Sequence, residues 1–179
     1  MEKVIHTIGH STHSLEEFVR LLRASNISML VDIRMYPSSR RYPHFNKDAL
    51  AGDLQKHGIE YVHMKSLGGR RPPRPGSANT GWRNASFRGY ADYMETSDFK
   101  NAIVTLEEYA SKESVAIMCS EAVWWSCHRS LVSDYLKWKG WEVLHIMGEG
   151  KTQEHPYTSP ARPSPTGLSY AADGELPLR

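Results

Sequence analysis

The sequence predicts an α/β fold: a single three-layer domain in which a mostly parallel sheet of about five strands carries helices on both faces. Three observations predict it. Short apolar runs alternate with segments of helical period. The chain has 179 residues, 40% of them hydrophobic and 23% charged, the size and composition of one ordinary globular unit. Each apolar run ends in polar, titratable residues, as strand ends do where such sheets bind ligands.

Val4 to Ile8 is the first strand, broken by Gly9-His10-Ser11-Thr12-His13. Ser14 and Glu17 form a capping box ahead of Leu15, Phe18, Val19 and Leu22 at helical spacing. Met29 to Ile33 is a buried strand, and Arg34 to Phe45 a polar loop. Asn46 caps a helix through Ala49, Leu50 and Leu54 that Gly58 ends. Ile59 to Met64 is the third strand, and Lys65 to Ser86 a long loop of the functional or mobile kind. A short helix around Tyr90–Met94 follows, then one capped by Ser97 with Phe99, Ala102, Ile103, Leu106 and Ala110 on one face. Val115 to Met118 is the fourth strand. A helix beginning near Cys127 runs to Gly140, and Trp141 to Ile146 is the fifth strand. Residues 1–150 form the domain. Residues 151–179, with five prolines from Gln153 onward and weak periodicity, are expected as an irregular tail.

A formal net charge of +2 does not by itself imply a nucleic-acid partner. The amino terminus carries no secretory h-region, and no apolar run approaches the ~20 residues of a membrane span. The expectation is therefore a cytoplasmic protein with no membrane partner, whose two cysteines stay reduced.

The strand ends bring chemistry together. They carry His10, Ser11, Thr12 and His13 after the first, Asp32 and Arg34 at the second, His63 and Lys65 after the third, and Cys119 and Glu121 at the fourth. Cys127-His128-Arg129 then opens a helix. That helix start, with His128 and Arg129, would favour a thiolate on Cys119, which reads either as a nucleophile or as a small buried core residue. Arg129 and the helix N–H groups suit an anion. Asp32 with Arg34 reads as a catalytic carboxylate with its cation or as an internal salt bridge. His44, His57 and His155 read as solvated, and His145 as a hydrogen-bonded core histidine. Arg40, Arg41, Arg70, Arg71, Arg74, Arg83 and Arg88, interleaved with Tyr36, Tyr42, Phe45, Trp82 and Phe87, suit phosphates and stacked bases or form solvated, salt-bridged loops. No cofactor is expected. Zinc or iron held by both cysteines with His10, His13 or His63 is the alternative, although the Cys119–Cys127 gap is not a zinc-knuckle spacing. Gly150-Lys151-Thr152 imitates the end of a phosphate-binding loop, but the required glycine is replaced by His145.

Several motifs together resemble the domain-of-unknown-function family 488 (DUF 488). They are Thr7–Ser11, Leu30–Arg34 with Pro37 and Ser39-Arg40, Leu67–Arg70, Phe87–Met94, Met118–Glu121 and Cys127–Arg129. The resemblance implies a cysteine-and-histidine site of enzyme type, with the long loop folded over it and Cys119-x-Glu121 joined to Cys127-His128-Arg129 as one unit. Ala122 to Ser126, with Trp124 and Trp125, stands where the resemblance implies a more polar, proline-bearing loop, and the two tryptophans could form a stacking surface. A fainter similarity of layout is to rhodanese-like domains.

The resulting expectation is a thiol-dependent transferase or hydrolase acting on a phosphate-bearing small molecule or nucleic acid. Cys119 is nucleophile or essential thiol, His128 or His10 general base, and Glu121 or Asp32 acid or orienting group. Arg34, Arg129, Cys127, Ser11, Arg40, Gly69, Arg70, Arg88 and Tyr90 make up the substrate-binding set, with no metal ligand. The alternatives are a nucleic-acid-binding module with a structural metal or none, and a sulfur carrier bearing a persulfide on Cys119.

Overall fold

The computed structural model describes residues 2–172. Five parallel strands form the centre of the sheet: β1 (Val4–Gly9), β2 (Met29–Asp32), β3 (Glu60–His63), β4 (Val115–Cys119) and β5 (Glu142–Gly148). A sixth, β6 (Lys151–Glu154), pairs antiparallel with β5, and the spatial order is β3-β2-β4-β1-β5-β6. Helices α1 (Leu15–Ala24) and α2 (Lys47–Lys56) cover one face. Helices α3 (Ala85–Tyr93), α4 (Ser97–Lys112) and α5 (Arg129–Trp138) cover the other.

The two-residue period of the strands sorts the core. Ile8, Leu30, Ala116, Met118 and Ile146 pack with Phe18, Leu22, Leu50 and Leu54 of α1 and α2. Ile5, Val31, Val115, Ile117 and Val143 pack with Tyr90, Phe99, Ile103, Leu106, Leu131 and Leu136 of the other three helices. Cys119 continues the Val115–Ile117 alternation and so faces α5. Thr7 and His145 do the same on β1 and β5. Asp32 falls on the α1–α2 side.

This topology opens the crevice. The chain leaves β1 over one face toward β2 and leaves β4 over the opposite face toward β5, although β1 and β4 are hydrogen-bonded neighbours. Their following loops diverge, which is where an α/β sheet accepts a ligand. The loops stay paired at their roots: His10 N–H donates to the Cys119 carbonyl and Ser11 N–H to the Ser120 carbonyl, both at 2.9 Å.

Ser14 caps α1 as expected, its Oγ accepting from Glu17 N–H at 3.1 Å. Three details differ from expectation. Thr96, not Ser97, caps α4, because its hydroxyl is the one that reaches Phe99 N–H. Asn46 precedes α2 without a side-chain cap, its Oδ1 being taken by Ser39 N–H. The short helix begins at Ala85, because Asn84 Oδ1 accepts from Ser86 and Phe87 N–H.

The tail is largely built in. Besides β6, strands β7 (Arg162–Ser164) and β8 (Gly167–Ser169) form a hairpin. Tyr170 is buried in the core, and its carbonyl accepts from Gly81 N–H at 2.7 Å. The remainder of the expected irregular tail, 173–179, lies outside the described residues. No helix among the described residues is long and apolar enough to cross a membrane.

Gly9 ends β1 against the loop after β4, so close that a Cβ there would lie 1.6 Å from the Glu121 carbonyl oxygen. Gly9→Ala is expected to lower the unfolding free energy by about 3 kcal/mol or more, since the obstacle is backbone that cannot rotate away. Urea denaturation measures it. A midpoint equal to that of the parent would contradict the close approach.

Candidate functional site

A cavity of about 890 Å³ lies over the β1–β4 crevice. Its lining includes both sulfurs together with His10, Ser11, Arg34, Tyr36, Arg41, Tyr42, Gly69, Arg70, Phe87, Tyr90, Glu121 and His128. The long loop and the start of α3 therefore do fold over the strand ends. Arg34, Arg41 and Arg70 are its cations, and Glu121 is the one acidic side chain in the lining.

The two cysteines meet on its floor. Cys119 Sγ and Cys127 Sγ are 2.7 Å apart, both thiols free and both buried. Arg129 lies behind them and is 1% exposed. Its backbone N–H donates to Cys127 Sγ at 3.4 Å. Its guanidinium donates to Thr7 Oγ1 and the Glu121 carbonyl, both at 3.2 Å, and Nε has no hydrogen-bond partner. Among the described residues no carboxylate forms an ion pair with this cation. A buried charge without a counterion is costly, and the cysteine sulfurs are the groups that can supply one. Burial raises both thiols. For Cys119, burial and the neighbouring Cys127 keep it well above its ordinary value. For Cys127, the Cys119 S–H, the Arg129 cation and the Arg129 N–H outweigh burial and bring it below. Of the two, Cys127 is therefore the sulfur that gives up its proton more readily, and Cys119 the one that holds it.

The histidines at the rim are held neutral. His10 stacks on Phe45, its Nδ1–H donating to the Ser11 carbonyl at 2.9 Å and its Nε2 facing Arg34 Nη1 at 3.4 Å. Burial above all lowers it to about 4. His128 Nε2–H donates to the Ile33 carbonyl at 2.8 Å, and burial lowers this ring to about 4 as well. Gly69 approaches the His128 ring so closely that a Cβ there would lie 3.0 Å from Nδ1. Both rings are thus engaged in holding loops in place rather than standing free as general bases.

Other expected site residues are placed differently. Asp32 does not line the cavity: Arg34 donates to it through N, Nε and Nη2 at 3.0, 2.9 and 2.7 Å, and Tyr61 O–H donates to it as well. It orients Arg34. Glu121 reaches the sulfurs through its backbone carbonyl, while its side chain is at the exposed rim. Tyr90 is anchored by its hydroxyl, which donates to the Leu67 carbonyl at 2.8 Å. Arg40 is exposed and outside the lining, and Arg88 turns away to the Trp82 carbonyl. The basic loops separate too: Arg74 pairs with Glu95 and Arg71 lies over the Tyr93 ring. His13 pairs with Glu17 and His63 Nε2–H donates to the Arg34 carbonyl. Among the described residues no group of three or more His, Cys, Asp or Glu could hold a metal ion.

The structure adds a buried polar chain behind the sulfurs. Arg129 Nη1–H donates to Thr7 Oγ1 and Thr7 O–H to His145 Nδ1. His145 Nε2–H then donates to His155 Nδ1, and His155 Nε2–H to Asp134 Oδ1, each at 2.8 Å. Asp134 also accepts from Thr158 N–H and Tyr170 O–H, both at 2.9 Å. A carboxylate can only accept and a guanidinium only donate, so both histidine tautomers follow from the two ends. His155, expected in solvent, is buried because the chain needs it. Trp124, expected as a stacking surface for a ligand, lies flat on His145 at 4.8 Å, and only Trp125 is exposed, at 53%. The alternation of β5 and β1 was the available signal for His145 and Thr7. Nothing local marked Asp134, His155 or Tyr170, whose link to the site is tertiary.

A family model described as "Domain of unknown function DUF488" matches residues 14–136, more than half of the chain, including all but the first of the motifs singled out above. No curated protein and no solved structure matches it.

Two measurements follow from these contacts. His10, His128 and His145, the last lowered to about 2 by burial, His155 and Arg129, all return to 6.5 on unfolding. Below pH 6.5 the unfolded chain binds more protons, so stability present above that pH is lost as pH falls toward about 4. Urea unfolding across that window should show the decline beginning above the carboxylate range, with a shallower slope in His10→Gln. A flat profile would contradict buried neutral rings. Thr7→Val leaves Arg129 Nη1 and His145 Nδ1 without their partner and is expected to cost about 2 kcal/mol or more. Unchanged stability would show that the chain is not coupled.

Proposed function

The chain belongs to the DUF488 family, and from that premise we propose that it is a thiol-dependent enzyme, a transferase or hydrolase, acting on a phosphate-bearing substrate. The observation that carries the reading is the buried sulfur pair, with Cys127 accepting the Arg129 N–H at 3.4 Å, at the floor of a cavity lined by Arg34, Arg41 and Arg70. Thiolate is the nucleophilic form of cysteine, and the Arg129 cation and N–H favour it on Cys127. This removes the need for either histidine to act as base and moves the nucleophile from Cys119 to Cys127.

The arginines supply the anion site. Arg34 is held by Asp32 with Nη1 toward His10 at the cavity wall. Arg70 and Lys65 flank the Tyr36 ring, and Arg41 lies beside Tyr42. Guanidinium groups beside the exposed Tyr36 ring and the half-buried Tyr42 ring suit a phosphate attached to a base or another ring, hence a nucleotide or a nucleic-acid end. With the phosphate held there, the Cys127 sulfur forms a bond to the electrophilic centre as the bond to the leaving group breaks. Cys119 S–H, already hydrogen-bonded to Cys127, supplies the departing group's proton. Water or an acceptor then releases the product and restores both sulfurs.

Titration with inorganic phosphate tests the anion site. Arg34→Met and Arg70→Met are each expected to weaken binding about tenfold, one charge-assisted hydrogen bond's worth. Cys127→Ser should leave phosphate binding intact and abolish turnover of nucleoside phosphates followed by phosphorus NMR. Full turnover in Cys127→Ser, or phosphate binding indifferent to both arginines, overturns the reading. A persulfide on the isolated protein, seen by mass spectrometry, would favour a sulfur carrier instead.

A further inference from the structure

We propose that Cys119 and Cys127 form a peroxide-sensitive dithiol pair: a hydroperoxide entering the cavity oxidises Cys127, and Cys119 resolves the product as an intramolecular disulfide. It rests on the assignment of the thiolate to Cys127.

The sulfurs already touch, at 2.7 Å, and both line the same cavity, so only a short approach separates them from a bond. The loop joining them is pinned at its root by His10 and Ser11 N–H and at Glu121 by Arg129, which keeps the pair facing. Both sulfurs line a cavity that a hydroperoxide is small enough to enter. Neither sulfur is committed to a metal-holding group among the described residues. Intramolecular attack between groups already in contact outruns attack by a second peroxide.

The chemistry balances in two steps. The Cys127 thiolate attacks the distal peroxide oxygen and the O–O bond breaks. Cys127 becomes a sulfenic acid, and the alkoxide or hydroxide released takes a proton from water. The Cys119 sulfur then attacks the sulfenic sulfur, its proton leaving with the hydroxyl as water. Two thiols have lost two electrons, and the peroxide has become an alcohol, or water when it is hydrogen peroxide. A dithiol reductant reverses the bond by exchange. In this oxidised state the nucleophile is masked, so the same pair that serves the site would also switch it off.

The test is intact-mass spectrometry of the full chain after one equivalent of hydrogen peroxide. The parent is expected to lose two hydrogens, to lose both alkylatable thiols while remaining monomeric, and to regain them with dithiothreitol. Cys119→Ser should stop at the sulfenic acid, giving a single dimedone adduct on Cys127, and Cys127→Ser should give none. A dimedone adduct in Cys119→Ser with only sulfinic acid or an intermolecular disulfide in the parent would overturn the pair while leaving the thiolate in place. No adduct in Cys119→Ser would overturn both. Dimedone capture on Cys119 in Cys127→Ser would reverse the roles and also overturn the proposal.

Discussion

The structure turns on a guanidinium buried without a carboxylate. Arg129 sits at the first position of α5, inside the protein, and donates its hydrogen bonds to a hydroxyl and two backbone carbonyls. Neutral acceptors solvate such a cation but do not cancel its charge. That leaves a positive field at the sulfur pair, and the field is what separates two chemically identical side chains. Cys127 receives the Arg129 N–H and the Cys119 S–H, whereas Cys119 meets mainly burial and its charged neighbour. Position relative to one arginine sets which sulfur is the easier to ionise.

Asp134 is linked to Arg129 only through Thr7 and the His145 and His155 rings. Every donor in that series points from the arginine toward the carboxylate, so each bond polarises the next. A direct ion pair would have quenched the field at Cys127. The relay keeps both charges buried while holding the anion away from the sulfurs. It also explains why the polypeptide after β5 belongs to the domain, since His155, Thr158 and Tyr170 complete the shell of Asp134. Trp124, stacked on His145, excludes water from the middle of the series and helps keep that ring neutral.

The five parallel strands, the Ser14 cap, the strand-end convergence and the DUF488 motifs were legible because each is a local or periodic signal. Polar residues after apolar runs report the carboxyl edge of a sheet whatever the order of its strands. The order itself was not legible, nor was β6, whose Lys151-Thr152-Gln153-Glu154 carries no apolar alternation and is held only by its ladder to β5. His155 and Asp134 resembled ordinary polar residues, because what buries them is contact between parts of the chain 21 residues apart. The roles of Cys119 and Cys127 were equally hidden. Spacing shows that two sulfurs can meet, but only their relation to Arg129 distinguishes them. Of the two readings offered for Asp32 and Arg34, the structure shows the internal salt bridge, with Arg34 rather than the carboxylate in the cavity lining.

The strand alternation sets Arg34 and the sulfur pair on different sides of the crevice. Because β4 lies between β1 and β2, the alternation along β4 aims Cys119 at the α5 side, while β2 aims Asp32 at the α1–α2 side. Arg34, two residues past Asp32, leaves the sheet and arches into the crevice under the control of that carboxylate. On the proposed reading, a ligand in the β1–β4 crevice has its anionic group gripped from one layer and meets the Cys127 sulfur from the other. Two helical layers can place those groups independently, whereas one loop carrying both would couple their positions. Gly9 at the end of β1 lets the loop after β4 close against that strand, bringing the Glu121 carbonyl over its Cα.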